Sequence, residues 1–342
     1  MYHISGFELY DRAQIFKQNR EYDNYIMYIT MAANYGYPDA IDNIYHCETY
    51  KLQNYTRTIK FYEETALNDN IQNSYSIHFL AYMYENGLAV DKDHDKAIEL
   101  YQLAIKKGNY HSIINLAYIY KIGSGVNQNY LKAKELYEFA IEQGYIEALN
   151  YLADLYKRGL DVQKNYEKAI ELYELAIIKG NVSALNHLAE MYNKGMGVKQ
   201  NYEKAIELLE LSIAKNNVTA INNLGFLYMS RDDNKCDYAK AKKLFELAIE
   251  KNCVTSFNNL AYMYECGLGV EYNYVYAFEL YEKAIEHGDM TMLHHLVSGY
   301  KHITREFNKI IKLYKNTTDI NSTRDLTQLL KIYPHETEES LT

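Results

Sequence analysis

A leucine recurs every 36 residues through most of the chain, and this period constrains the fold more than any other feature. No insertion or deletion breaks the register along Leu80, Leu116, Leu152, Leu188, Leu224, Leu260 and Leu296. Self-similarity at a fixed period of roughly 20–50 residues is the signature of stacked repeats. Because stacked repeats share one continuous core, the 342 residues are expected to form one stack rather than several separate globular domains.

Each unit contains two apolar stripes with the spacing of an amphipathic helix. The first helix is predicted from about Val182 to Asn193 in one copy, with Asn181 as its N-cap and Gly195 at its end. Its apolar face consists of Ala184, Leu185, Leu188, Ala189 and Tyr192. The second helix is predicted to begin after Asn165, with an inner face of Ala169, Leu172, Tyr173 and Ala176. Short connections between the two predict antiparallel hairpins and an all-α fold.

The repeated pattern is L-A-x-x-Y, then G-x-G-V, then N-Y-x-K-A-I-E-L-Y-x-x-A-I-x-x-G-N, and its best copy is residues 152–187. It closely resembles the Sel1-like repeat family, which is related to tetratricopeptide repeats. The resemblance implies an α-solenoid, a right-handed superhelix of 36-residue helical hairpins, that acts as an adaptor in protein complexes. The frequent Asn and Tyr also resemble Sel1-like proteins of amoeba-infecting giant viruses, which implies the host cytoplasm as the location of a viral or effector chain.

The quality of the repeat divides the chain into four predicted parts. Residues 1–79 match weakly and are interpreted as degenerate repeats that form an N-terminal cap, whereas residues 80–295 hold six good copies. Residues 296–333 are interpreted as a degenerate repeat that caps the other end. The polar and acidic residues 334–342 are expected to form a mobile tail.

Composition narrows the choice of partners and compartment. The formal net charge is -9 and the charges alternate in sign along the helices, so we expect no nucleic-acid partner. No stretch approaches the ~20 consecutive apolar residues of a membrane helix, and the N-terminus lacks the pattern of a signal peptide. The four cysteines have no paired spacing, which fits a reducing compartment. These features predict an intracellular, cytoplasmic protein without membrane contact.

Known patterns for catalysis or metal binding are incomplete in this sequence. There is no HExxH, P-loop or CxxC, so we expect no catalytic residues, cofactor or metal. Gly123 and Gly125 resemble part of a dinucleotide loop, but they follow a helix and are interpreted as a turn. The fifth repeat is irregular, because Arg231 and Asp233 replace its two loop glycines. The alternative to a scaffold is therefore an enzyme with a cryptic hydrolase-type site near this repeat.

One face of the first helix is polar or aromatic instead of forming core. By analogy with tetratricopeptide repeats, this face lines the concave groove of the superhelix. It carries Asn150, Asn186, Asn222 and Asn258 at one position in four successive repeats. One turn further it carries Tyr82, Tyr118, Asp154, Glu190, Phe226 and Tyr262. Asn offers a donor and an acceptor that match a peptide backbone, and aromatic residues anchor side chains. In a competing interpretation, the asparagines connect neighbouring helices.

The sequence thus favours a non-enzymatic scaffold that binds a partner protein or peptide segment in the groove. Glu147, Asp154 and Glu190 lie in the middle of the predicted groove, and the aromatic residues lie towards its two ends. This pattern predicts a partner segment with a basic centre and apolar flanks. The sequence does not define the oligomeric state.

Overall fold

The computed structural model describes residues 5–35, 37, 39–40, 55–66, 73–88, 90–160, 163–231, 235–289 and 291. Within these residues all regular secondary structure is helical and no strand occurs. The predicted C-terminal cap at 296–333 and the predicted tail at 334–342 lie outside the described residues, as do Leu296, Asp232 and Asp233. The predicted division of the chain into caps, repeats and tail stays a prediction.

The chain falls into two units, residues 1–181 and residues 182–342. The described helices of the first unit are α1 (Gly6–Gln18), α2 (Tyr22–Asn34), α3 (Tyr55–Ala66), α4 (Ser74–Asn86), α5 (His94–Lys106), α6 (His111–Ile122), α7 (Tyr130–Glu142), α8 (Glu147–Arg158) and α9 (Tyr166–Ile178). Those of the second unit are α10 (Ser183–Lys194), α11 (Tyr202–Ala214), α12 (Val218–Met229), α13 (Tyr238–Glu250), α14 (Thr255–Cys266) and α15 (Tyr274–Glu286).

From α4 onward, first and second helices of the repeat alternate, as the sequence predicts. The second helices begin every 36 residues, at His94, Tyr130, Tyr166, Tyr202, Tyr238 and Tyr274. Within each unit every helix from α4 onward packs against the next one along the chain, and in the second unit α12 also contacts the first helices α10 and α14. Each hairpin thus covers the apolar stripe of its neighbour, which is the packing of an all-α solenoid.

Local caps fix where most of these helices begin and end. Each second helix from α5 onward begins after a capping residue whose side-chain oxygen accepts a hydrogen bond of 2.8–3.0 Å from the backbone N–H three residues further on. The capping residues are Asp93, Asn129, Asn165, Asn201, Asp237 and Asn273. Five first helices end at a glycine whose φ of 63–73° is left-handed, at Gly87, Gly123, Gly159, Gly195 and Gly267. The predicted second-helix N-caps and these glycine ends are confirmed.

The predicted N-cap of the first helix is wrong at Asn181. The helix α10 begins at Ser183 with Val182 in the cap position, and no side chain caps it. The side-chain oxygen of Asn181 instead accepts a hydrogen bond of 3.1 Å from Asn150 Nδ2. Asn217 occupies the cap position of α12 but likewise makes no side-chain capping bond. Among the described first helices with an asparagine at this position, only α6 shows a side-chain capping bond. There the side-chain oxygen of Asn109 accepts the backbone N–H of Ser112 at 3.2 Å.

The core is built from the periodic residues. The six described leucines of the period are only 2–5% exposed, and they are Leu80, Leu116, Leu152, Leu188, Leu224 and Leu260. A second buried series lies on the second helices, where a fixed position, here called the aromatic position, holds Tyr101, Tyr137, Tyr173, Leu209, Phe245 and Tyr281. These rings pack closely on the first helix, since a Cβ added at Gly225 would lie 2.8 Å from the ring of Phe245.

Replacement of Leu188 by alanine tests the seam between hairpins. Leu188→Ala should lower the free energy of unfolding by about 2–5 kcal/mol, because a side chain only 4% exposed is lost and leaves a cavity. Amide hydrogen exchange should show the largest loss of protection in α10 to α12, since repeats couple to their neighbours. The matched control Leu211→Ala, at a leucine 46% exposed, should cost under about 1 kcal/mol. A uniform loss of protection along the second unit would contradict this account.

Two histidines meet where α4 packs near α6. The rings of His78 and His111 lie 5.5 Å apart, and His78, which is fully buried, places Nδ1 2.8 Å from the hydroxyl of Ser112. Burial, with a smaller contribution from the charge of His78, lowers the pKa of His111 to about 3. His111 is therefore neutral in the folded protein throughout the mildly acidic range.

This lowered pKa predicts a loss of stability in acid. Because the unfolded chain binds a proton at His111 below a pH of about 6.5 and the folded chain does not until about pH 3, stability should fall as the pH drops between these values. The melting temperature of His111→Gln should fall less steeply from pH 7 to pH 4 than that of the unmodified chain. Equal slopes for the two proteins would contradict the assignment.

Candidate functional site

All ten residues predicted to bind a partner lie on first helices. In the first unit these are Tyr82 on α4, Tyr118 on α6, and Asn150 and Asp154 on α8. In the second unit they are Asn186 and Glu190 on α10, Asn222 and Phe226 on α12, and Asn258 and Tyr262 on α14. We call the surface formed by these two positions in every repeat the first-helix face. Its most exposed aromatic residues are Tyr118 and Phe226, each 46% exposed, and Tyr262, 39% exposed.

Three of the four asparagines on this face make side-chain hydrogen bonds to residues 31–37 positions further along the chain. Asn150 donates to Asn181, as described above. The side-chain oxygen of Asn222 accepts Ser256 Oγ at 2.9 Å and Asn259 Nδ2 at 2.8 Å. Asn258 Nδ2 lies 3.0 Å from the carboxylate of Asp289 and 3.2 Å from Thr291 Oγ1. The bonds of Asn222 join α12 to α14 and match the competing interpretation, in which the asparagines hold neighbouring helices together. Asn150 and Asn258 instead bond to residues outside the described helices.

The acidic residues of the face pair with cations of the same unit. Asp154 accepts Arg158 Nε at 2.9 Å, and its carboxylate also lies 3.5 Å from Lys157 Nζ and 3.7 Å from Lys121 Nζ. Glu190 lies 2.6 Å from Lys194 Nζ. The side chain of Asp154 is only 15% exposed, so its charge is largely neutralised before any partner arrives.

In the first unit the face is continued by an aromatic residue that the sequence reading missed. Tyr151 follows Asn150 on α8, and its ring stacks on the buried ring of Tyr137 at 5.4 Å with an interplanar angle of 15°. Burial raises the pKa of Tyr151, with further contributions from Glu147 and Tyr118, so the phenol stays protonated at neutral pH. A comparison of the repeats could have found Tyr151, because the equivalent position holds the polar residues Asn115, His187, Asn223 and Asn259 and is therefore not a core position.

In the second unit the face opens into a cavity of about 490 Å³ between α10, α11 and α12. The cavity brings together three of the predicted residues, Asn186, Glu190 and Phe226. Its apolar lining comes from Ala189, Ala205, Leu209, Phe226 and Leu227. Its polar lining comes from Ser183, Asn186, His187, Glu190, Asn193, Lys194, Asn217, Thr219 and Asn223. Pockets of this size with an apolar floor and a few amides are typical binding sites.

The chemistry of this cavity suits binding through contact and hydrogen bonds. The side-chain oxygen of Asn186 is buried and has no hydrogen-bond partner. Buried oxygens without a partner also occur at Asn150 and Asn258, but the amide nitrogens of those two residues donate hydrogen bonds. Among the described residues, no group of three or more His, Cys, Asp or Glu side chains is placed to hold a metal ion.

The irregular fifth repeat replaces its loop glycine with a stacked arginine. The guanidinium of Arg231 lies 4.8 Å from the centre of the Tyr202 ring and 3.2 Å from the carboxylate of Glu203. Arg231 is only 8% exposed, and Asp237 caps α13. Both residues therefore have structural roles, while residues 232–234 of the irregular loop lie outside the described residues.

Comparison with known families matches the Sel1 repeat to six segments, residues 74–109, 111–145, 146–181, 182–217, 218–253 and 258–289. Together they cover more than half of the chain. The chain belongs to the Sel1 repeat family. Each of the first five Sel1 segments contains one first helix and one second helix of the fold described above, and the sixth begins within α14. The cavity lies in the fourth and fifth segments. Sel1 repeat proteins are generally non-catalytic scaffolds.

Solved structures place this Sel1 repeat chain among related helical folds. A Sel1 repeat protein from Oxalobacter formigenes is 24% identical with a TM-score of 0.55, over 72% of this chain and 97% of that chain. Yeast Tom70 is 15% identical with a TM-score of 0.60, over 93% of this chain and 65% of that chain. The structure "Human IFIT1 dimer with PPP-AAAA" is 15% identical with a TM-score of 0.50, over 94% of this chain and 89% of that chain. These likenesses concern the fold alone.

Two further results are negative. No curated protein matches the sequence significantly. In the part of the chain that the structure describes, no helix is long and apolar enough to cross a membrane.

The two roles of asparagine on the first-helix face can be separated by mutation. Asn222→Ala should lower the free energy of unfolding by about 1–3 kcal/mol, because Ser256 and Asn259 lose their common acceptor. Asn186→Ala, the matched control at the equivalent position, removes an oxygen without a partner and should cost under about 1 kcal/mol. Urea denaturation measures both. A larger loss for Asn186→Ala than for Asn222→Ala would contradict the assigned roles.

Proposed function

We propose that this Sel1 repeat protein is a non-enzymatic scaffold that binds a segment of a partner protein on its first-helix face. The observation that carries the proposal is the cavity of the second unit, which joins the exposed ring of Phe226 to an apolar floor and a wall of amides. Sel1 and tetratricopeptide-like repeat folds are commonly protein-interaction scaffolds. Their extended surfaces bind peptides because equivalent side chains recur along one face.

The aromatic residues supply most of the proposed binding energy. Tyr118, Phe226 and Tyr262 expose large ring areas on the first-helix face, and aromatic residues dominate the energetics of protein interfaces. The predicted basic centre of the partner receives less support, because Asp154 and Glu190 already pair with cations of their own unit. Exposed ion pairs contribute only about 0–1 kcal/mol. We therefore propose a partner segment defined by its apolar anchors, with charge as a secondary feature.

A protein partner fits the chain better than a nucleic acid. The chain has a net charge of -9, and three lysines near the first-helix face lie beside its carboxylates, Lys121 and Lys157 at Asp154 and Lys194 at Glu190. Phosphate binding requires basic side chains that are available to contact the backbone. Cys236, Cys253 and Cys266 are free thiols, which supports the proposal of a reducing, cytoplasmic location.

An enzymatic function is the second candidate, and its support is confined to the irregular loop of the fifth repeat. Catalysis would require convergent polar groups in a pocket with shifted pKa values. The cavity of about 490 Å³ is lined by neither Cys236 nor Asp237. The binding function therefore has the stronger basis.

A pair of matched variants tests the proposed face. Phe226 and Leu211 are both 46% exposed, but Phe226 lies on the first-helix face and Leu211 on the second helix α11. After a partner is captured with the intact chain as bait, calorimetry should show that Phe226→Ala weakens binding by about 2 kcal/mol or more, as expected for an aromatic anchor. Leu211→Ala should leave the affinity nearly unchanged. The reverse order of effects would place the interface on the second helices instead.

A further inference from the structure

The fourth Sel1 repeat departs from the others at a buried position. The aromatic position holds a ring in five repeats, as Tyr101, Tyr137, Tyr173, Phe245 and Tyr281, and every one of these rings is at most 3% exposed. In the fourth repeat the same position holds Leu209. A leucine side chain is shorter than a phenol or phenyl ring, so it leaves the outer part of the ring's space unfilled.

The unfilled space coincides with the cavity of the second unit. Leu209 lines that cavity, together with Ala189, the residue of the first helix that corresponds to Gly225. At Gly225 the ring of Phe245 approaches so closely that an added Cβ would lie 2.8 Å from it. A ring at residue 209 would occupy the corresponding place beside Ala189. The place of the missing ring thus lies beside two residues that line the cavity, Ala189 and Leu209.

We propose that this cavity is a subsite for an aromatic side chain of the partner segment, which fills the place that a ring of the chain itself fills in the other repeats. This inference rests on the proposed binding function and specifies its ligand. Ala205, Leu209 and Leu227 provide the apolar floor. The half-exposed ring of Phe226 provides a wall for an aromatic pair, and such pairs favour offset or edge-to-face contact.

The repeat also indicates that tyrosine fits better than phenylalanine. The hydroxyls of Tyr101 and Tyr281 donate to Glu85 and Glu265 at 2.7 Å in each case. The corresponding residue of the fourth repeat is Asn193, and it lines the cavity. Its side-chain oxygen offers an acceptor at the place where the first and sixth repeats bind a phenol hydroxyl.

A competing explanation is that Leu209 is only a variation in core packing, with no ligand. The two explanations differ in what happens when the ring is restored. If a partner's ring enters the cavity, Leu209→Tyr blocks it with the side chain that the neighbouring repeats already accommodate. If the cavity has no ligand, the same substitution changes packing and nothing else.

The experiment is an NMR titration of the full chain with N-acetyl-tyrosinamide, with N-acetyl-phenylalaninamide and N-acetyl-leucinamide for comparison. We expect the methyl signals of Leu209 and Leu227 to shift, with the tyrosine probe binding most tightly. Leu209→Tyr should weaken its binding at least about tenfold, whereas Leu209→Met, which conserves volume, should change it less than about threefold. Circular dichroism checks that both variants are folded.

Asn193→Ala provides an independent readout that leaves the floor of the cavity intact. It should remove the preference for the tyrosine probe over the phenylalanine probe. The inference is overturned if the unmodified chain binds none of the aromatic probes, or if folded Leu209→Tyr binds them as tightly as the unmodified chain. Either result leaves the scaffold function standing provided that Phe226→Ala still weakens binding of a captured partner. The scaffold proposal itself fails on that separate measurement.

Discussion

Burial of the periodic leucine between successive hairpins is the interaction on which the rest of the structure depends. One Sel1 hairpin has an apolar stripe that it cannot cover by itself, so the stripe is buried only when the next hairpin packs against it. Leu188, at 4% exposure, and its equivalents in the other described repeats are nearly fully buried. Because the seam fixes each hairpin against the next, residues 36 positions apart acquire equivalent surroundings within each unit. Every comparison between repeats rests on that equivalence.

Because equivalent residues have equivalent surroundings, a residue that departs from the repeat pattern marks a place where the local structure also differs. On the first-helix face, Asn150, Asn222 and Asn258 make side-chain hydrogen bonds, and Asn186 at the same position lines the cavity. On the second helices from α5 onward, a ring fills the aromatic position except at Leu209. Asn186 and Leu209 both belong to the fourth repeat, and both line the same cavity. The proposed binding site is thus the place where the internal pattern of the repeat is left incomplete.

The sequence predicts the alternation of helices, the N-caps at Asn165 and its equivalents, and the glycine ends of the first helices. Each of these features depends on residues that are close in sequence. The partner of Asn181 could not, because an asparagine before a helix suits either a cap or a longer contact, and only the packing brings Asn150 within 3.1 Å. The positions of the candidate residues on one face followed from helical spacing. Helical spacing did not predict the pairing of Asp154 with three cations, because one of them, Lys121, belongs to another repeat. The cavity was hidden because Leu209 reads as ordinary core until its size is compared with the rings at equivalent positions.

The most direct test of this account is the hydrogen-exchange footprint of a captured partner on the full chain. Binding on the first-helix face around the incomplete fourth repeat predicts new protection in α10 and α12, at residues 183–194 and 218–229, with little change in α13 and α15. The control is the Phe226→Ala variant of this chain with the same partner, and the new protection should be absent there. Protection concentrated on the second helices α13 and α15, with α10 and α12 unchanged, would contradict the account.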